Sequence, residues 1–308
     1  MDHEESLQEQ IKPIIALFSN GQIQEALDAV EAFIKNYPNE PVLYNISGAC
    51  YAGLGQLDEA VKNYKKSLAI KPDYAEAHNN LAVTLQELGQ LDAAVKSYEK
   101  ALAIKTDFAD AHYNLAGALQ RLGQLDAAVK SYVLALTVKP DYAEAFNNLG
   151  ITLKELGQLD TAVKSYEQVL AINPNFAEAH NNLGITLKEL DQHDDAVKCF
   201  EKALVIKPNY VDAHINLGIS LQELGQLDAA VKSYEKAVAI KPDFEDAHIN
   251  LGNVLKDLSQ HDKAIKCYKK ALAIKPDYYL AHNNLGIVYQ QLGQINNSIN
   301  QYEKALVI

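Results

Sequence analysis

The chain has no tryptophan, one methionine and three cysteines in 308 residues. The cysteines, Cys50, Cys199 and Cys267, are odd in number, far apart and without a CxxC pair. That excludes a disulfide framework and a cysteine-built metal knuckle, and leaves free thiols in a reducing compartment, so the expected location is cytoplasmic. Positive charge is also short: 28 Lys and Arg face 40 Asp and Glu, a net charge of −12. Binding to nucleic-acid phosphates needs a concentrated basic face, so no nucleic-acid partner is expected. No apolar run approaches the ~20 residues of a membrane span. The start, MDHEESLQEQ, lacks the basic and apolar stretches of a signal peptide, so no membrane partner is expected either. Phosphate-binding glycine loops, HExxH and GxSxG are missing as well, and no nucleophile has a partner outside the repeat pattern described next. The chain as given therefore reads as non-enzymatic, with no catalytic residues, no metal site and no cofactor.

What the sequence does have is a period of 34 residues. Ala75 to Phe108, Ala109 to Tyr142 and Ala143 to Phe176 align position by position without a gap. With Ala75 as position 1, units start at 7, 41, 75, 109, 143, 177, 211, 245 and 279, and the last stops at its thirtieth position. Residues 1–6 are left as an N-terminal tail ahead of an array over 7–308. A fixed period of this length marks an array of stacked supersecondary units, each burying its apolar face against its neighbours.

Within a unit, His78, Leu81, Ala82, Leu85 and Leu88 follow helical spacing, and so do Leu91, Ala94, Val95, Tyr98, Ala101 and Leu102. Gly89 separates the two runs, where a helix end needs a residue that accepts positive φ. Pro72, Pro140, Pro174, Pro208, Pro242 and Pro276 end the second helix of their units. Asp73 with Glu76 and Asp141 with Glu144 have the spacing of a capping box for the next helix. Small residues recur at position 8, from Gly48 to Gly286, and alanine at position 20, from Ala26 to Ala264, so paired helices are expected to approach closely there.

These small residues, together with Tyr or Phe at position 24, a mostly small position 27 and Pro at position 32, resemble the tetratricopeptide repeat (TPR) family over Leu7 to Ile308. Val169 at position 27 and Pro13 in the first helix depart from its pattern. The resemblance implies an all-α fold: a right-handed superhelical solenoid of about nine helix-turn-helix units, with first helices lining a concave groove. The Asn-rich units also resemble the TPR arm of protein O-linked N-acetylglucosamine transferases, which implies, as an alternative function, the substrate-recognition arm of a larger enzyme.

On the groove face, position 6 reads Asn80, Asn114, Asn148, Asn182, Asn216, Asn250 and Asn284. Position 5 adds Asn79, Asn147, Asn181 and Asn283, and position 9 places Val83, Ile151, Ile185, Ile219 and Ile287 beside the amides. Each amide both donates and accepts, so the row suits the peptide groups of a bound protein segment, extended or helical. The same amides could equally bond neighbouring helices to one another. Acids at positions 2 and 13, against a lone Arg121, favour a basic or neutral segment. The six histidines at position 4 (His78, His112, His180, His214, His248 and His282) lie a full period apart, too far for shared metal coordination, and read as packing residues. Ile299, Tyr302 and Leu306 would face outward at the end of the last unit, which adds end-to-end self-association as a third expectation.

Overall fold

The computed structural model describes residues 2–307, without the side chains of residues 2–6 and 8; the backbone of residues 2–6 of the expected tail belongs to the first helix. The described residues form helices and short turns only, in two compact units, Met1–Leu156 and Gly157–Ile308. The first unit holds α1 (Asp2–Ser19), α2 (Ile23–Asn36), α3 (Pro41–Gly53), α4 (Leu57–Ile70), α5 (Ala75–Glu87), α6 (Leu91–Ile104), α7 (Ala109–Arg121), α8 (Leu125–Val138) and α9 (Ala143–Glu155). The second holds α10 (Leu159–Ile172), α11 (Ala177–Glu189), α12 (His193–Ile206), α13 (Val211–Glu223), α14 (Leu227–Ile240), α15 (Glu245–Asp257), α16 (His261–Ile274), α17 (Tyr279–Gln291) and α18 (Ile295–Leu306).

Within each unit, each helix packs on the next. In the first unit α3, α5, α7 and α9 also touch one another in turn, and in the second α11 meets α13 and α15 meets α17. The second helices of successive repeats make no comparable contacts, so within each unit the first helices take the more crowded side. Each unit is an all-α stack of helices, paired as the 34-residue period implies.

Close approach inside a pair comes from position 8. A Cβ on Gly184 would lie 2.6 Å from the Phe200 ring, and one on Gly252 would lie 2.5 Å from the Tyr268 ring. The rings use that space: Tyr98, Tyr132, Tyr234, Phe200 and Tyr268 are at most 1% exposed. Burial raises the hydroxyl pKa of Tyr98, Tyr132, Tyr234 and Tyr268 well above the usual tyrosine value, so these groups stay protonated wall material.

The turn inside a pair needs a left-handed residue. Gly89 has φ +74°, and glycine takes this place in most repeats, but Asp191 and Ser259 occupy it at φ 58°. The boundary between pairs corrects one expectation. From α5 on, the residue capping each first helix is the position-34 aromatic, such as Tyr74 or Tyr142, and neither of these makes a side-chain cap bond. Asp73 and Asp141 sit one residue too early, in the turn, and are exposed. At most of these boundaries the lysine three residues earlier lies over the ring, as Lys139 does over Tyr142 at 4.2 Å and Lys105 over Phe108 at 4.7 Å, but Phe176, preceded by Asn173, holds the same place without one. Glu76 and Glu144 do fall in the first helical turn, near the positive helix end.

Candidate ligand-binding face

Stacking in register puts residues of the same repeat position side by side on successive first helices. All seven position-6 asparagines are partly exposed, while Asn79, Asn147 and Asn181 at position 5 are buried and Asn283 is partly exposed. Val83, Ile151, Ile185, Ile219 and Ile287 are partly exposed beside them. Position 9 lies within one helical turn of both position 5 and position 6, so all three border one face, and the side chain at position 5 decides its own depth: Asn79, Asn147 and Asn181 are buried, while Tyr113 and Ile215 stay partly exposed.

The amides bond from repeat to repeat. Asn80 Nδ2 donates to Asn45 Oδ1 at 3.1 Å, and Asn216 Nδ2 donates to Asn181 Oδ1 at 3.2 Å. Asn148 Nδ2 donates to the Tyr113 hydroxyl at 2.9 Å. In each case a position-6 amide reaches the position-5 residue of the preceding repeat. Where that residue is Ile249, Asn284 turns instead to Asn253 Oδ1, at 2.9 Å. Asn250, preceded by Ile215, makes no side-chain hydrogen bond among the described residues, and neither does Asn114. A primary amide has two N–H groups and two acceptor lone pairs, so one interhelical bond leaves capacity for a ligand. The ladder thus ties first helices together and presents polar groups on a partly exposed face.

Charge on this face is mixed. Glu76 pairs with Lys105 at 3.3 Å and Glu178 with Lys207 at 3.1 Å, so part of the position-2 acid row is neutralised by lysines of the following boundary. Lys207 lowers the Glu178 pKa mainly by its hydrogen bond. Exposed pairs of this kind contribute little to stability. Sequence reasoning missed both the lysine's place over its aromatic and its pairing with position 2; the Lys-x-x-Tyr/Phe spacing was there to be read.

The histidines are boundary clasps. His78 Nε2 meets the Pro72 carbonyl at 2.9 Å, and His180 and His248 meet Pro174 and Pro242 in the same way at 3.0 and 2.9 Å. With Nε2–H donating, Nδ1 is left without a partner in all three. Among the described residues no three His, Cys, Asp or Glu side chains gather where a metal ion could be held. Burial pushes the thiols of Cys199 and Cys267 up to about 11, which keeps them as unreactive thiols at neutral pH. No helix among the described residues is long and apolar enough to cross a membrane. In α18, Ile295, Ile299 and Leu306 are exposed and Tyr302 is partly exposed.

Comparison with known proteins agrees with this geometry. A profile described as "TPR repeat" matches residues 118–157, 152–191, 220–259 and 252–293, and profiles described as "Tetratricopeptide repeat" match 41–107, 177–210 and 199–232. No curated protein sequence matches the chain. Among solved structures, MamA is 29% identical with a TM-score of 0.50, covering 51% of this chain and 92% of its own. YrrB, described as a TPR protein with an unusual peptide-binding site, is 24% identical with a TM-score of 0.54, covering 61% of this chain and 96% of its own. The Cut9-Hcn1 hetero-tetramer of the APC/C is 17% identical with a TM-score of 0.58, covering 86% of this chain and 52% of the other. The last two likenesses concern the fold alone. With repeat profiles spanning most of 41–293 and helix pairs of matching construction, the chain belongs to the tetratricopeptide repeat family.

Proposed function

We propose that this protein is a non-catalytic interaction scaffold that binds an extended or helical protein segment along the face formed by its first helices. The observation that carries this reading is the pairing of partly exposed position-6 amides with partly exposed position-9 aliphatics on the same helix face. The amides hydrogen-bond peptide groups whatever the bound side chains are, and the aliphatic strip buries apolar ones. YrrB's described peptide-binding site on a similar fold supports the same assignment. The acids that outnumber Arg121 at position 13, Glu87 and Glu223 among them, favour a basic or neutral segment over most of the face.

The test uses binders selected from a phage-displayed library of 12-residue segments, with affinity read by fluorescence anisotropy. Replacing Asn182, Asn216 and Asn250 together by Ala is expected to weaken binding at least tenfold with helicity unchanged. Unchanged affinity in that variant removes the ladder from the function.

The exposed side chains of α18 favour a second reading, in which copies of the chain associate end to end. A light-scattering mass that rises with concentration, and falls back on Ile299→Glu, supports it; a constant monomer mass dismisses it.

A further inference from the structure

The fourth repeat departs from its neighbours at three places on one stripe of α7. Tyr113 stands where Asn79 and Asn147 flank it, Gly117 where Val83 and Ile151 do, and Arg121 where Glu87 and Glu155 do. These residues are four apart in sequence, so they share one helix face about 6 Å apart along the axis. We propose that they form a specificity pocket within the binding face, which takes a bulky apolar side chain and a carboxylate two residues away on an extended segment. This deepens the scaffold reading and rests on it.

Gly117 is not a packing requirement. A Cβ there would meet only the Tyr132 hydroxyl, at an ordinary 3.8 Å, whereas the position-8 glycines would bring theirs to 2.5–2.7 Å from an aromatic ring. The missing side chain therefore leaves a notch in the aliphatic strip, between Val83 on α5 and Ile151 on α9. One end of the notch is a fixed wall: the Tyr113 ring lies 4.9 Å from that of Tyr142 and 5.9 Å from that of Tyr132, and its hydroxyl accepts from Asn148 at 2.9 Å.

At the other end stands the one cation of the position-13 row. Arg121 Nη1 donates to the Gln86 carbonyl at 3.2 Å, near the negative end of α5, and that bond fixes the side chain's direction. A guanidinium has five N–H donors, so several remain, and no described carboxylate lies within ion-pair distance of it. Glu155 is drawn instead to Gln120 Nε2, at 3.2 Å. Two polar atoms beside the notch are also unused: Asn114 makes no side-chain hydrogen bond, and Asn79 Oδ1, on a residue only 8% exposed, has no partner. At the corresponding place in other repeats such a pair bonds to each other, as Asn216 and Asn181 do. Here the amide of Asn114 is free for a ligand's peptide group.

The spacing defines the ligand. Positions 117 and 121 lie about 6 Å apart along the axis of α7, close to the distance of about 6.6 Å between residues i and i+2 of an extended chain laid along that helix, whose side chains also point the same way. An apolar residue enters beside Tyr113 while the acid two positions on meets Arg121.

The probe is a fluorescein-labelled decapeptide of Gly, Ser and Asn carrying one Phe and, two residues later, one Glu, with Gln and Lys versions of the Glu position. The full chain is expected to bind the Glu peptide at least fivefold more tightly than either. Arg121→Glu, which restores the acid of neighbouring repeats, should invert the order in favour of Lys. Gly117→Ile, which restores their aliphatic residue, should weaken all three at least tenfold at unchanged helicity. Equal affinities for the three peptides, or affinities unmoved by both variants, overturn the pocket. If library-selected binders respond to the asparagine replacements in the second unit but not to Gly117→Ile or Arg121→Glu, the pocket is wrong and the scaffold reading stands. If the Glu peptide responds as expected while the ladder variant changes nothing, the pocket stands as a local site without the ladder.

Discussion

Gly218→Ala tests whether the helix pairs are held at a distance set by the absence of one methyl group. The new Cβ would lie 2.6, 2.7 and 2.9 Å from three carbons of the Tyr234 ring, where ordinary contact begins near 3.4 Å. The ring is 1% exposed, so it cannot swing into solvent; it or α13 must retreat by roughly 1 Å. Overpacking of this size costs about 1–3 kcal/mol. Against that, alanine in a helix interior is favoured over glycine by about 1 kcal/mol. Ala82 and Ala116 face Tyr98 and Tyr132 in the third and fourth repeats, and those rings remain buried, so some accommodation is built into the array. The net expectation is a loss of about 1 kcal/mol, the low end of the overpacking range plus part of its spread.

An array unfolds by repeats, so a single global midpoint blurs the effect. Native-state hydrogen exchange of the α13 and α14 amides reads it where it occurs. Protection there should fall, while that of α3 to α6 stays the same. If α13 and α14 instead gain about 1 kcal/mol of protection, helix propensity alone governs the position and the close-approach argument is wrong.

Asp191→Gly and Ser259→Gly should each stabilise the second unit by about 0.5–1 kcal/mol. Left-handed backbone costs an L-residue roughly 1–2 kcal/mol, and glycine returns part of the gain as unfolded-chain entropy; a lowered urea midpoint in either variant refutes this. The pH dependence of stability should include a share from His180. Burial, then the nearby Lys202, lowers its pKa below 6.5 against an opposing bond to the Pro174 carbonyl. The unfolded chain then binds more protons, so this share is complete above pH 6.5 and is lost as pH falls through the folded value. His180→Phe, the residue type found at Phe146, should flatten the urea midpoint between pH 7 and 5; an unchanged slope assigns the dependence elsewhere.

The period made the helix boundaries legible because every structural demand recurs at the same place. The position-24 ring needs the position-8 gap, and the turn needs its left-handed residue, so Gly184 with Phe200 and Gly89 could be read directly from the sequence. The N-cap could not. An Asp three residues before a Glu satisfies the pattern of a capping box, but the helix starts one residue later, after the position-34 aromatic, and the Asp stays in the turn. Likewise the asparagine row was visible, while its donors were not. Whether Asn216 spends an N–H on Asn181, or Asn250 keeps both, depends on which residue the preceding repeat sets opposite it.

That dependence gives departures from the consensus their meaning. In a repeat array most side chains are explained by what they do for the stack, and a residue explained that way carries little information about a ligand. Asn80, bonded on both sides of its amide to Asn45 and Asn79, is half structural. Gly117 and Arg121 gain the stack far less: the first fills no tight space, and the second adds one bond to a carbonyl. Helix propensity alone would favour Ala or Ile over Gly at 117. A residue kept at a cost to its helix, as Gly117 is, on a face left partly open, is where selection by a partner would leave its mark.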